Sequence, residues 1–191
     1  MDPRSALVDG ALDYVLAHGI IGLSLRPLAK ALGTSDRMLI YHFGSKDGLI
    51  DAIFDRAHMQ LASASPPALP VTNVEELVIA IWQTVSGPEG GAVTRLYLEA
   101  SALAGHDPER WGSVVTRLRA PWRSPLRAGL VAFGVPESDA DAMVDLVLCS
   151  LDGLALDKLT TGEVARCDRA ASALARLVSA GASGNDVTAD T

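Results

Sequence analysis

GTSDRMLIYHFGSK, residues 33–46, decides how this chain folds and what it can touch. Gly33 and Gly44 bracket a short helical run that opens at Ser35 and closes at Phe43. At about 100° per residue, Leu39 and Phe43 share one face, while Arg37 and Tyr41 share the opposite one. Met38 and Ile40 flank that outer face. A small helix normally hides its apolar residues and shows its charges. Here the outward side mixes a guanidinium, a phenol and apolar groups. That mixture suits the major groove of duplex DNA, where Arg grips guanine O6 and N7 and apolar groups meet a thymine methyl. Asp36 fits a first-turn carboxylate favoured by the helix dipole better than it fits a DNA contact.

Working outward, Val8, Leu12, Val15 and Leu16 mark one face of a first helix that ends at His18–Gly19, with Gly19 as a left-handed cap. Ser24 is the expected N-cap of a second helix, which tolerates Pro27 in its first turn and turns Leu28, Ala29 and Leu32 inward. Two short helices joined by a tight Gly-containing turn describe a helix-turn-helix. The second enters the groove and the first spans the backbone. Ser24 and Arg26 are then placed to meet a phosphate, and Lys46 adds a point charge at the start of the next helix. His42 is read equally as a phosphate contact or a packing residue, and Lys30 as ordinary surface. The 191-residue chain carries a net charge of −7, so any attraction for nucleic acid is local to this segment.

The remainder is also helical, with almost no alternating pattern. Leu49, Ile50, Ile53, Phe54, Ala57 and Leu61 mark a long fourth helix, and residues 62–70 read as a linker. Thr72 and Glu75 resemble a capping box for a helix reaching Val85, which SGPEGG then stops. A helix over about 91–104 follows. Asp107–Pro108 opens the next, which Pro121 and Pro125 are expected to kink or split. Two last helices fall near 138–160 and 163–180. The first is apolar nearly all round, including Met143, Val144, Leu148 and Leu151. The second repeats Val164, Cys167, Ala171, Leu174 and Val178 at steps of three and four, the seam of a bundle. The polar stretch 181–191 reads as a disordered tail. The fold class is all-α, with a helix-turn-helix domain over 1–45 (motif 24–43) and a larger helical domain over 46–180.

The block LSLRPLAKALGTSDRMLIYHFGSKDGLIDAIF resembles the N-terminal domain of the TetR family of bacterial transcriptional regulators. Ser24, Ala29, Gly33, Ser35, Leu39, His42, Phe43, Ser45, Lys46 and Leu49 stand at that family's motif positions, and LDGLAL (151–156) is similar to a stretch of its penultimate helix. The resemblance implies DNA contact through Ser24, Arg26, Ser35, Arg37, Met38, Ile40, Tyr41, His42 and Lys46. The family commonly has an aromatic where this chain has Ile40 and a small residue where it has Arg37. Tyr41 is therefore expected to take over a phosphate contact, and Arg37 to read a base. It further implies a homodimer that binds a pseudo-palindromic operator, acts most often as a repressor and is released by a small-molecule effector. The effector cavity is expected among Trp82, Tyr97, Ser101, Trp122 and Met143. The dimer seam is expected at Val144, Leu148, Leu151, Val164, Cys167, Ala171, Leu174 and Val178.

Other classes fare worse. No nucleophile–base pair, no H-E-x-x-H spacing and no phosphate loop is found, since the Gly-rich Glu89–Gly91 lacks a following lysine. Neither a metal nor a cofactor is expected. No apolar run reaches the roughly 18 residues of a membrane span. Two cysteines in no metal-like spacing, without a secretory pattern, lead to the expectation of a reduced, cytoplasmic protein. Cys149 and Cys167 are read as packing residues before a redox switch. The rival reading is an interaction protein whose helix-turn-helix no longer binds DNA.

Overall fold

Gly33 takes φ +64, and its conformation ends helix α2 (Leu25–Ala31) in a way that seats the next helix. The Thr34 amide donates to the Ala29 carbonyl at 2.9 Å, and the Gly33 amide donates to Lys30 at 3.2 Å. This is a Schellman ending with glycine at the left-handed position. Ser35 then caps α3 (Asp36–Phe43), its hydroxyl accepting from the Met38 amide at 3.2 Å. A computed structural model describes residues 2–63 and 71–183. The described residues form helices without a strand, in the all-α class expected.

Two compact units share the chain, Met1–Ser65 with Arg95–Pro121, and Pro66–Thr94 with Trp122–Thr191. The first contains α1 (Pro3–His18), α2, α3 and α4 (Lys46–Ser63), together with the end of α6 (Pro88–His106) and the start of α7 (Pro108–Ala132). Here α1 packs on α4 and α2, and α3 packs on α2 and α4. The packing of α4 thus carries this unit past residue 45. Its core joins Leu12, Val15, Leu28, Leu39, Leu49, Ile53 and Phe54 with Leu96, Val114 and Leu118. Ser45 opens α4 by accepting from the Gly48 amide at 2.9 Å. A side chain at Gly48 would lie 2.2 Å from the Phe43 carbonyl, so only glycine fits there.

Polar pairs join α4 to α7. Arg110 binds Asp51 at 2.8 Å and Arg117 binds Asp55 at 2.7 Å. α7 is continuous through Pro121 and Pro125, so neither proline splits it. Proline cannot donate to the carbonyl four residues back, that of Arg117. His58 Nδ1 of α4 donates to that oxygen at 3.0 Å instead.

The second unit holds α5 (Val74–Ser86), the first turns of α6, the end of α7, α8 (Ala140–Thr161) and α9 (Val164–Ser183). Within it α5 packs on α8 and α9, and α8 packs on α9, over Val78, Leu130, Val147, Leu151, Ala171 and Ala175. Several expectations shift. The cap of α5 sits one residue later, with Asn73 accepting from the Glu76 amide at 2.9 Å and the Glu76 carboxylate accepting from the Thr72 amide at 2.7 Å. The Thr72 amide and the Thr72 hydroxyl, which donates to the same oxygen at 3.0 Å, hold the Glu76 carboxyl below its ordinary range. SGPEGG interrupts the helices only at Gly87, since Pro88 is suited to a first turn and starts α6. Residues 181–183 continue α9, while the rest of the expected tail, and the expected linker from 64 onward, lie outside the described residues. Gly19 caps α1 as expected, yet with φ 87 and ψ 166 rather than a left-handed helical geometry.

Candidate nucleic-acid interface

α3 presents the two faces that its periodicity requires. Leu39 is fully buried and Phe43 nearly so, while Met38, Ile40 and Tyr41 are 42%, 38% and 78% exposed. Arg37 is exposed beside them. The amphipathic split fixes the rotation of α3, because Leu39 and Phe43 are held by the first unit's core. Tyr41 makes an edge contact with the half-buried His42 ring, 5.2 Å between centroids, and keeps most of its surface in solvent. Ser24 caps α2 by its backbone alone, so its exposed side chain is not consumed in a capping bond. Ser35, in contrast, spends its hydroxyl on the Met38 amide. It holds the start of α3 in place.

Electrostatics separate this segment from its own unit. Arg56, Arg95, Arg110 and Arg117 each face a carboxylate within 4 Å. Arg26, Lys30, Arg37 and Lys46 are exposed, and none pairs with a described carboxylate. Asp36 sits in the first turn of α3, where the macrodipole accounts for it. One cation escaped the sequence reading. Arg4 of α1 stacks 5.0 Å from the Phe43 ring centroid, at the end of α3. Sequence separation of 39 positions hid that neighbour; no local pattern points to it.

The other expected sites fall differently. Tyr97 and Ser101 lie in the first unit, where Arg119 donates to the Tyr97 hydroxyl at 2.7 Å and Ser101 donates to the Tyr97 carbonyl. Trp82, Trp122 and Met143 lie in the second unit, and Trp82 lines a depression there. This depression of about 610 Å³ includes Trp82, Gln83, Lys158, Asp168 and Ser172. The Trp82 indole donates to Asp168 at 2.8 Å, and Lys158 lies 5.8 Å from the Trp82 ring while donating to the Ser86 carbonyl.

Of the residues expected at a subunit seam, Val144, Leu148, Leu151, Cys167, Ala171 and Val178 are buried within this unit. Leu174 is half-buried and only Val164 is exposed. The seam exists, but α5 and α8 of the same chain fill it. Burial pushes the Cys167 thiol up, away from the reactive thiolate, and the neighbouring Asp157 adds to this. Arg166 holds the Asp157 carboxyl below its usual range. Among the described residues no cluster of His, Cys, Asp and Glu could hold a metal ion, and no helix is long and apolar enough to cross a membrane.

Together, the capped turn, the outward α3 face and the larger helical unit define a helix-turn-helix protein with an appended helical domain. A sequence profile described as "Bacterial regulatory proteins, tetR family" matches residues 7–53. Over 61 residues, 32% of this chain, it is 38% identical to the HTH-type transcriptional regulatory protein RaaS of Mycobacterium tuberculosis (strain ATCC 25618 / H37Rv). That match spans 28% of the length of RaaS. In fold, the chain is similar to a transcriptional regulator from Rhodococcus sp. Rha1, with a TM-score of 0.78, 20% identity and 94% and 97% of the two chains covered. It is also similar to the transcriptional regulator FadR of Bacillus subtilis in complex with stearoyl-CoA, at a TM-score of 0.66, 14% identity and 93% and 98% coverage. Residues 7–53 thus match the DNA-binding domain of the TetR family of bacterial regulatory proteins, and the chain shares the fold of solved transcriptional regulators over more than nine-tenths of its length.

Proposed function

We propose that the protein is a transcriptional repressor that binds a pseudo-palindromic operator as a homodimer and leaves it when a small molecule occupies the second unit. One observation carries the DNA reading: the cations of the helix-turn-helix are open, while Arg56, Arg95, Arg110 and Arg117 of the same unit engage carboxylates, Arg119 a phenol and Arg4 the Phe43 ring. Cations left open on one face of α2, α3 and the start of α4 are available to an external anion. Arg37 reads a base, with Met38 and Ile40 against thymine methyls. Ser24, Arg26, Tyr41, His42 and Lys46 meet phosphates, and Ser35 supports the helix start. The test is a salt titration with DNA taken from upstream of the protein's own gene. Log affinity should fall linearly with log salt, by about 0.9 per phosphate neutralised. Flat, weak binding at all salts supports the rival instead, a protein-docking module using the exposed Met38 and Ile40.

Dimerisation is assigned to the face of α8 that its own chain leaves open. Leu146, Cys149, Gly153 and Leu156 recur at steps of three and four and are all exposed, with Leu159 beyond them and Leu177 exposed on α9. Gly153 has nothing within 4 Å of where a Cβ would stand, which lets a partner helix approach closely. A two-fold pair of recognition helices would then span half-sites about 34–36 Å apart or a multiple of that. Leu146→Glu combined with Leu156→Glu should convert a dimer to a monomer in sedimentation equilibrium, with DNA binding lost alongside. A dimer that persists moves the interface elsewhere.

For the effector, the depression at Trp82 offers an aromatic wall with a cation and a carboxylate at its edges. Such a lining fits a small amphipathic molecule. That FadR holds stearoyl-CoA is consistent with an effector housed in this fold.

A further inference from the structure

Glu99 of α6 reaches the turn between α1 and α2, 79 positions away in sequence. One carboxylate oxygen accepts from two successive amides, Ile20 at 2.6 Å and Ile21 at 3.3 Å. Arg95, one turn earlier on the same helix, donates to the Leu16 carbonyl near the end of α1. The two side chains also face each other, Arg95 Nε lying 3.8 Å from Glu99 Oε1. Glu99 is only 19% exposed in its side chain. Gly19 makes the grip possible: a Cβ there would stand 2.7 Å from Glu99 Oε1, and φ +87 disfavours any other residue. A carboxylate that accepts from adjacent amides makes shortened, charge-assisted bonds with a fixed direction.

We propose that Arg95 and Glu99 are positioning residues for DNA binding, a clamp through which α6 fixes the α1–α2 turn. The proposal rests on the DNA-binding reading. Ser24 and Arg26, the phosphate-contacting start of α2, follow Ile21 by three and five residues. Fixing the Ile20 and Ile21 amides therefore fixes where α2 begins. The core packing of Leu28 and Leu39 holds the helices together, but it is non-directional; the clamp supplies the direction. Arg95 and Glu99 stand one turn apart on the uninterrupted helix α6, so their two grips on the end of α1 and on the turn act from one rigid element.

The experiment compares Glu99→Ala and Glu99→Gln in the full chain. Gln keeps an oxygen that can accept from Ile20, and Ala keeps none. Glu99→Ala should weaken binding to the DNA that the wild type retains by about tenfold or more, and Glu99→Gln by no more than about threefold. Amide exchange at Ile20 and Ile21 should accelerate only in the Ala variant. Wild-type affinity in Glu99→Ala, with exchange at the turn accelerated, overturns the proposal. So does an equal loss of affinity in both variants that tracks a loss of melting temperature, since that marks a merely structural role. Should the wild type retain no DNA, it is the DNA-binding reading that fails. The exchange measurement still shows whether the clamp closes on the turn.

Discussion

Arg37→Ala combined with Tyr41→Ala should lower affinity for the cognate DNA by about 10- to 100-fold, as expected when a base contact worth ~1–3 kcal/mol is removed with a phosphate contact. Stability should change by no more than ~0.5 kcal/mol, because both side chains are exposed and neither is held by the core. Their roles should separate. Arg37→Ala alone relaxes preference at one base-pair position, measured by competition with single-base operator variants. Tyr41→Ala weakens all sequences about equally. Unchanged affinity in a folded double variant would remove α3 from the interface and favour the docking alternative. The measurement needs a circular-dichroism melt beside it, so that unfolding is not mistaken for lost contact.

The second large effect lies in the core beneath that helix. Phe54 is 1% exposed, and its ring meets Trp111 edge-on at 5.9 Å between centroids. Phe54→Ala should destabilise the first unit by ~3–5 kcal/mol, combining lost transfer energy with a cavity that the surrounding helices cannot close. The edge-on pairing adds its own smaller share. Urea unfolding followed by tryptophan fluorescence would report it, since Trp111 is the ring that loses its neighbour. A loss below ~1 kcal/mol would mean that α7 moves inward to fill the space. The consequence reaches α3, which packs on α4 through Leu39 and Phe43.

What the sequence reveals depends on how far apart interacting residues stand. The recognition helix was legible because cap, periodicity and turn glycine act within a dozen residues. Leu39 inward and Tyr41 outward follow from 100° of rotation per residue. The α9 seam was half legible. Steps of three and four prove an apolar face, but not whether α5 or a second subunit covers it. Pro121 misled for a similar reason. The sequence shows the proline but not the donor that replaces its missing amide, and His58 supplies one to the Arg117 oxygen from 59 positions away. The clamp at Glu99 was invisible, since glutamate at position 99 looks like any solvated residue until the fold brings Ile20 to it. Aromatic residues mark burial, and burial does not say in which unit: Tyr97 falls in the first, Trp82 and Trp122 in the second.

The joint at Pro121 has one more property. The Arg117 oxygen that Pro121 frees takes its donor from another helix, so the bond that stands in for the lost backbone one also ties α7 to α4. Salt should weaken the arginine–aspartate rungs beside it, which are partly exposed charge pairs.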